Sequence, residues 1–371
     1  MNTKHLKIDP DAPCEKVLAQ AAEALRAGQL VAFATETVYG VGVDATNADA
    51  VARLDALKER PGGPYSIHTG NPHALERYFN ELTEEACRLI RRTWPGPVTV
   101  LLDAPDVFPD ETIADDRALY DRLVTNGVLG LRCVAEPASA DILEQAGVPI
   151  IATSANFRGD TSPTCAEEVL ASLDGKIDLL IDSGPTRYRG DSTIVQFTDE
   201  GYTLVREGIV DARLIQELLA RTVAFVCTGN SCRSPMAEGF AKKILSEHFD
   251  CSEEQLAENG YKIVSYGTSA FDGSPASDNA IAAAKEFGVD IQAHRSQNAA
   301  PELILDSDQI YCLATRHLET VEPIAALGGV ECALLGEQDI SDPYGGDLDL
   351  YRAIAQEIHS TIAARITDGN L

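Results

Sequence analysis

No run of 18 apolar residues occurs anywhere in the 371-residue sequence, so no membrane-spanning helix is expected. The opening MNTKHLKIDPDAP lacks the basic-then-apolar order of a secretory signal, which leads us to expect a cytoplasmic protein with no membrane partner. Positive charge is scarce: 30 Lys and Arg stand against 58 Asp and Glu, a formal charge of −28. That sign repels phosphate backbones and argues against tight direct nucleic-acid binding, and it also suits a well-solvated acidic surface. The nine cysteines are Cys14, Cys87, Cys133, Cys165, Cys227, Cys232, Cys251, Cys312 and Cys332. An odd number, widely scattered and without a CxxC pair, disfavours a disulfide framework or a structural zinc, and no metal site is expected. Internal repeats, low-complexity tracts and a Pro- or Gly-rich linker are missing too.

What is present suits two globular α/β domains, since the hydrophobic share is 44% and the length exceeds one ordinary domain. Residues 15–27 place apolar side chains at helical spacing and stop at Gly28, and LVAFAT then reads as a buried strand. Further strands are expected at VTVLL, VLGLR, PIIAT, IDLLID and STIVQF, with helices over 138–146 and 165–173. VDARLIQELLA reads as a closing helix, and TVAFVCTG opens a second series with helices over 235–247, 277–287 and 347–364 and strands at KIVSYGT and QIYCLA. We therefore expect a twisted open-sheet α/β domain over residues 1–220. A doubly wound domain with a mostly parallel sheet is expected over 221–371.

VAFVCTGNSCRSPMAEGF carries the sharpest chemistry. A strand-to-helix turn presents unpartnered N–H groups and the positive end of a helix dipole, together an anion site. Gly229 permits unusual backbone angles, and Arg233 can grip a tetrahedral oxyanion with two parallel bonds. Cys227 faces the same positive field, which favours its thiolate. Asn230, Ser234 and Pro235 supply bracing, a hydroxyl near the thiol and a helix-compatible first turn. Far downstream, Asp342 precedes a proline in a loop before a helix, a suitable origin for a proton donor to a leaving group.

The CTGNSCRS loop and the Asp342-Pro343-Tyr344 run resemble the low-molecular-weight protein tyrosine phosphatase family over residues 222–371. The resemblance implies a cysteinyl-phosphate intermediate on a phosphorylated protein substrate without a cofactor. Cys227 would be the nucleophile, and Arg233 with the Thr228, Gly229, Asn230, Ser231, Cys232 and Ser234 loop the oxyanion clamp. Asp342 would be general acid and then base. Cys232 corresponds to the family's second loop cysteine, which implies either a reversible disulfide trap for oxidised Cys227 or a structural thiol. The loop is similar to that of bacterial protein-arginine phosphatases in carrying a small hydroxyl residue, Ser231. The downstream DPYGG supplies a single aromatic, Tyr344, where tyrosine-specific relatives often place two. Both features lead us to expect phosphoarginine as substrate, with phosphotyrosine as the alternative.

In the first half, ATETVYGVG, LKERP, PYSIH, WPGPVTVLL, TSANFRGDTSPT and GDSTIVQF occur in one order. The series resembles the threonylcarbamoyl-AMP synthase family across roughly residues 15–210. It implies that threonine, bicarbonate and ATP, the last with magnesium, become threonylcarbamoyl-adenylate and pyrophosphate for tRNA modification, in the company of a tRNA-modification partner protein. Lys58 and Arg60 would serve the polyphosphate, and Thr35, Thr37, His68 and Arg132 would hold the amino acid. Thr153, Ser154, Asn156, Ser162, Ser192 and Arg206 fall where the family binds nucleotide or threonine. Ala34, Glu59, Tyr65 and the late Pro137 depart from the family pattern. The competing reading is a binding module for nucleotide or RNA without turnover.

Overall fold

A computed structural model describes residues 2–10, 12–59, 64–79 and 81–369. The chain divides into two compact units, one ending at Ile215 and the other beginning at Gln216, so the division falls within the helix Ala212–Leu219.

In the first unit, Leu18, Ala21, Ala22 and Leu25 recur at three- and four-residue steps, which puts them on the buried face of helix Glu15–Arg26. Gly28, at φ +73°, ends that run and turns the chain into Val31–Ala34, all four residues of which are buried. This strand belongs to an 11-stranded sheet. Its central part runs Val31–Ala34, Tyr39–Asp44, Ile150–Ser154, Ser66–Thr69, Val128–Cys133, Val98–Asp103 and Thr193–Thr198. The pairing is mixed. Ser66–Thr69 runs parallel to Val128–Cys133, whereas Tyr39–Asp44 is antiparallel to both of its neighbours. The ordering lays the ends of segments distant in sequence side by side, with His68 directly opposite Arg132.

The second unit has a four-stranded sheet in the order Tyr261–Gly267, Arg221–Cys227, Gln309–Cys312, Glu331–Leu334, with every pair parallel. Its first strand alternates between two cores. Val223, Phe225 and Cys227 pack with Met236, Phe240 and Ile358 on one face. Ala224 and Val226 pack with Ile304, Ile310 and Val321 on the other. Helices therefore cover both faces, as the near-continuous apolar strand requires. The strand order reverses between Arg221–Cys227 and Gln309–Cys312, and in such sheets the crevice at the carboxyl ends of the strands at that reversal is where ligands bind. Cys227 is the last residue of one of these strands. No described helix is long and apolar enough to cross a membrane.

Candidate functional site

A cavity of about 350 Å³ opens at the second unit's crevice, lined by Cys227, Thr228, Gly229, Ser231, Cys232, Arg233, Ser269, Phe271, Ser274, Asp342 and Tyr344. All three proposed catalytic side chains are in it. The carbonyls of Cys227, Thr228 and Ser231 accept from the N–H groups of Thr268, Ser269 and Ser277, which pins the loop from outside. Among the described residues, the loop's own N–H groups from Thr228 to Cys232 have no protein acceptor. They are the donors an anion would use.

Arg233 is almost wholly buried. Its two terminal nitrogens reach the Ile340 carbonyl at 2.9 Å and Asp342 Oδ2 at 2.6 Å, while Nε is buried with no partner. A buried N–H left unpaired is costly, and a bound oxyanion would satisfy it. The same Asp342 oxygen also accepts from Arg316 at 2.9 Å, and its other oxygen accepts from the Tyr344 N–H at 3.2 Å. Asp342 remains 37% exposed, open to the mouth of the cavity.

Cys227 Sγ lies 3.0 Å from Ser234 Oγ, which in turn accepts from Asn230 Nδ2 at 2.9 Å. Asn230 is fully buried with φ +50°, so the loop turns on this residue as well as on glycine. Cys232 Sγ lies 3.3 Å from Ser277 Oγ and 3.2 Å from Tyr351 Oη. Both loop cysteines are free thiols. Burial first, then the neighbouring Cys232, pushes the Tyr351 hydroxyl up to about 12.

Sequence reasoning missed three residues here. Arg316 and His317 follow the strand Gln309–Cys312. His317 is buried, with Nε2 2.9 Å from Thr228 Oγ1, and Arg316 donates to the same hydroxyl at 3.1 Å. Burial and the nearby Arg233 and Arg316 lower the His317 pKa to about 4. A lone Arg-His pair carries no signal until the fold sets it beside the loop. The third is Phe271, 85% exposed on the cavity rim with Tyr344, itself 80% exposed. Tyr344 is the single aromatic of the DPYGG run, as the sequence reads, and Phe271 adds to the mouth a second aromatic that the sequence reading did not include. Phe271 lies more than 70 residues from the DPYGG run and reaches the same rim because Tyr261–Gly267 flanks the central strand.

The first unit has a larger cavity, about 420 Å³, and seven of the proposed residues line it: Thr35, His68, Arg132, Thr153, Ser154, Ser192 and Arg206. Arg132 is buried, and one of its nitrogens reaches Glu36 Oε1 at 2.6 Å and Thr37 Oγ1 at 2.7 Å. Its Nε is buried without a partner. Glu36 was not foreseen; its second oxygen accepts the Ala135 N–H at 2.9 Å, so both oxygens are bound inside the fold. Thr35 and Thr37 join hydroxyls at 2.8 Å. Burial, and then Arg132, lower the His68 pKa to about 4. Arg206 holds the Ser192 carbonyl at 2.8 and 3.0 Å, and burial lowers its pKa.

The remaining proposed residues sit differently. Ser162 Oγ donates to Asp191 at 2.7 Å, and Asp191 lines the cavity. Lys58 is buried, with Nζ on the Ser154 carbonyl at 2.9 Å and on the carbonyl and side-chain oxygen of Asn156 at 2.5 and 2.9 Å. Three N–H bonds meet three acceptors, so this ammonium fastens the Ser154–Asn156 turn rather than standing open to a polyphosphate. The expected pairing with Arg60 lies outside the described residues. Tyr65, which departs from the family pattern, lines the cavity and donates to Asp55 at 3.0 Å; Arg122 holds the other Asp55 oxygen at 2.7 Å. The tyrosine hydroxyl thus has a buried partner.

Residues 23–208 match the Sua5/YciO/YrdC family model, described as Telomere recombination, and residues 222–367 match that of Low molecular weight phosphotyrosine protein phosphatase. The chain is 37% identical over 202 residues to Threonylcarbamoyl-AMP synthase of Pyrococcus abyssi, covering 54% of this chain and 56% of that one. It is 36% identical over 164 residues to the enzyme of that name from Halorhodospira halophila, covering 43% of this chain and 80% of that one. The match thus spans little more than half the length of the Pyrococcus abyssi and Bacillus subtilis relatives. The crystal structure of Pyrococcus abyssi Sua5 complexed with L-threonine covers 97% of this chain and 98% of its own at 22% identity and TM-score 0.52, a likeness of fold. By its first unit the chain belongs to the Sua5/YrdC, threonylcarbamoyl-AMP synthase, family, and fused to that unit is a low-molecular-weight phosphotyrosine protein phosphatase domain.

Proposed function

We propose that the chain is bifunctional, and that its second unit hydrolyses phosphorylated protein side chains through Cys227. The observation that carries this reading is the buried, unpartnered Arg233 Nε beside a loop of unused N–H groups, with a thiol at its base and an exposed carboxylate at its mouth. In the proposed sequence the Cys227 thiolate attacks phosphorus, a bond from sulfur to phosphorus forms, and the bond to the leaving group breaks as Asp342 delivers it a proton. Water then attacks phosphorus, Asp342 takes the water's proton, and the S–P bond breaks to release phosphate and the thiolate. Arg233 and the loop amides hold the equatorial oxygens through both steps.

The first unit, in the same proposal, joins threonine, bicarbonate and ATP into threonylcarbamoyl-adenylate and pyrophosphate. Its support is the family membership together with the grouping of seven expected residues around one cavity. Arg132 and the Thr35–Thr37 pair suit a carboxylate and a hydroxyl, and Arg206 with Ser192 a second polar end. Pyrophosphate release from purified protein supplied with ATP, magnesium and bicarbonate tests this. Release that depends on threonine is expected, and its absence would favour a nucleotide-binding module without turnover.

For the phosphatase substrate, Ser231 favours phosphoarginine, since a small hydroxyl beside the phosphate can accept from a planar guanidinium where an aliphatic chain cannot. Phosphotyrosine is the second reading, favoured by the exposed Phe271 and Tyr344 that flank the mouth and could enclose a phenol ring. The two readings separate by kcat/KM measured side by side on the two phosphorylated side chains, with Ser231→Ile as the diagnostic variant. Loss on phosphoarginine with retention on phosphotyrosine is expected. A wild-type preference for phosphotyrosine that the variant leaves unchanged overturns the arginine reading.

A further inference from the structure

The strand Gln309–Cys312 runs beside Arg221–Cys227 and ends at the same crevice, and the helix Thr315–Ala325 that follows it brings Arg316 to the cavity mouth. Unlike Arg233, this arginine is 58% exposed, yet its guanidinium is held in place. Nε donates to His317 Nε2 at 3.3 Å, and Nη2 donates to Thr228 Oγ1 at 3.1 Å and to Asp342 Oδ2 at 2.9 Å. An arginine N–H can only donate, so His317 Nε2 is an acceptor, as expected of an imidazole whose pKa is lowered to about 4. Nε and Nη2 share one edge of the planar fork, and three bonds along that edge fix its orientation.

The opposite nitrogen is left over. Among the described residues Nη1 has no acceptor. Asp339, the other carboxylate at this end of the helix, accepts instead from the Thr315 N–H and hydroxyl, both at 2.7 Å. An anion that meets Nη1 therefore finds the side chain already ordered, and little further side-chain entropy is lost on binding. The substrate phosphate is not that anion, because its cradle is the loop amides and the buried Arg233 Nε, deeper in the cavity. Arg316 stands outside this cradle, where the residues on either side of a phosphorylated side chain would pass.

We infer that Arg316 is a specificity-determining residue, receiving through Nη1 the carboxylate of an Asp or Glu next to the phosphorylated residue of a protein substrate. The preference for acidic flanks that follows has a sign opposite to the field of the whole chain. A formal charge of −28 repels an acidic peptide at long range. Screening over about 8 Å at physiological ionic strength removes most of that repulsion and leaves the contact at Arg316 to decide.

The inference deepens the phosphatase reading and rests on it, and its test is made on binding so that the two fail separately. Cys227→Ser, which cannot turn substrate over, is titrated calorimetrically with a pair of phosphotyrosine peptides and a pair of phosphoarginine peptides. Each pair carries either Asp or Ala on both sides of the phosphorylated residue. In whichever pair binds, the acidic member should bind about fivefold more tightly, the scale of one partly exposed ion pair. That ratio should shrink toward one in about 0.5 M salt. Arg316→Ala in the same background should abolish or invert the ratio, while affinity for inorganic phosphate changes by less than about twofold. Because this substitution also releases Asp342 and Thr228, the readout is the ratio within a pair, in which effects on the phosphate cradle cancel. Arg316→Lys keeps the charge without the planar fork and should retain only part of the preference. A ratio near one before substitution, a ratio that survives Arg316→Ala, or phosphate affinity lost as steeply as affinity for the acidic peptide would each overturn the assignment. If the wild type hydrolyses none of the four peptides, the phosphatase reading fails and the binding ratio still decides the role of Arg316; if none of them binds, both fall.

Discussion

Each of the two cavities is lined by a buried arginine tied to a carboxylate, and these two pairs are built alike except for what happens to the acid. Arg132 and Arg233 are both sealed, both have an Nε without a partner, and both reach a carboxylate oxygen at 2.6 Å. Glu36 is as buried as its arginine and spends its second oxygen on the Ala135 N–H. Asp342 is 37% exposed, shares one oxygen between Arg233 and Arg316, and sits in a loop. A fixed acid can only shape and charge a pocket. An acid at a cavity mouth, with an exposed arginine among its partners, can trade that partner for a substrate and move a proton. Under the proposed function the difference distributes the chemistry: the first site would recognise with pre-placed groups, and the second would also move protons through a side chain of its own.

The comparison breaks most decisively if the two sites depend on one another. Every group of the phosphatase cavity lies between Cys227 and Tyr344, and every group of the first cavity between Thr35 and Arg206. Cys227→Ser should abolish phosphate release and leave threonine-dependent pyrophosphate release within twofold of wild type. Lys58→Ala, which unfastens the Ser154–Asn156 turn, should do the reverse. Both activities are measured on one preparation whose circular dichroism is unchanged. Loss of both from either substitution would show that the sites are not separate.

How far the sequence reveals each unit follows from the same contrast. The second unit is legible because its central strands, Arg221–Cys227 and Gln309–Cys312, are buried on both faces and read as apolar runs, and because its phosphate loop is contiguous from Cys227 to Ser234; the edge strand Glu331–Leu334, less buried, was not foreseen. The first unit is harder. Its strand Tyr39–Asp44 reads YGVGVD, in which Tyr39, Val41 and Val43 alternate with two glycines that lower strand propensity. A Cβ at Gly42 would lie 3.0 Å from the Phe33 ring, which would have to give way, so packing favours glycine there against strand propensity. Glu36 was passed over between two threonines assigned to substrate, since only the antiparallel turn onto Tyr39–Asp44 brings it to Arg132. Lys58 was read by charge alone, and its saturation by three oxygens depends on a turn almost a hundred residues away. Arg316 and Phe271 had the same difficulty in the second unit, where each arrives from a strand beside the loop's own.

A second test sharpens the comparison through stability. Glu36→Ala leaves the Arg132 guanidinium buried without its counter-charge, a loss of about 3–5 kcal/mol for a broken buried pair. Asp342→Ala also takes an acid from a buried arginine, but at a cavity that water already enters and can use to solvate Arg233, and the cost should be nearer 1 kcal/mol. Urea unfolding reports both. The sole tryptophan, Trp94, follows the first unit by fluorescence; the second is followed by loss of phosphatase activity where Asp342 is present and, in Asp342→Ala, by labelling of the buried Cys312 thiol read by mass spectrometry. Equal losses would mean that the exposure of the two acids does not separate their roles.

The smallest expected effect concerns the histidines, where the two units agree. His68 lies opposite Arg132 and His317 beside Arg233, and burial with those cations lowers each pKa from 6.5 to about 4. Between these values the unfolded chain binds a proton that the folded chain does not, so stability rises with pH across the window. The contribution is complete above pH 6.5 and is lost as pH falls toward 4, at up to about 1.4 kcal/mol per pH unit for each histidine. His68→Gln should flatten the acid-side slope of Trp94-detected unfolding and leave the phosphatase-detected slope unchanged, and His317→Gln should do the opposite. Urea midpoints taken from pH 4.5 to 7.5 decide it. A slope in the first unit that survives His68→Gln would place the acid sensitivity in other groups of that unit, and would remove the one electrostatic feature that the two cavities share beyond their arginines.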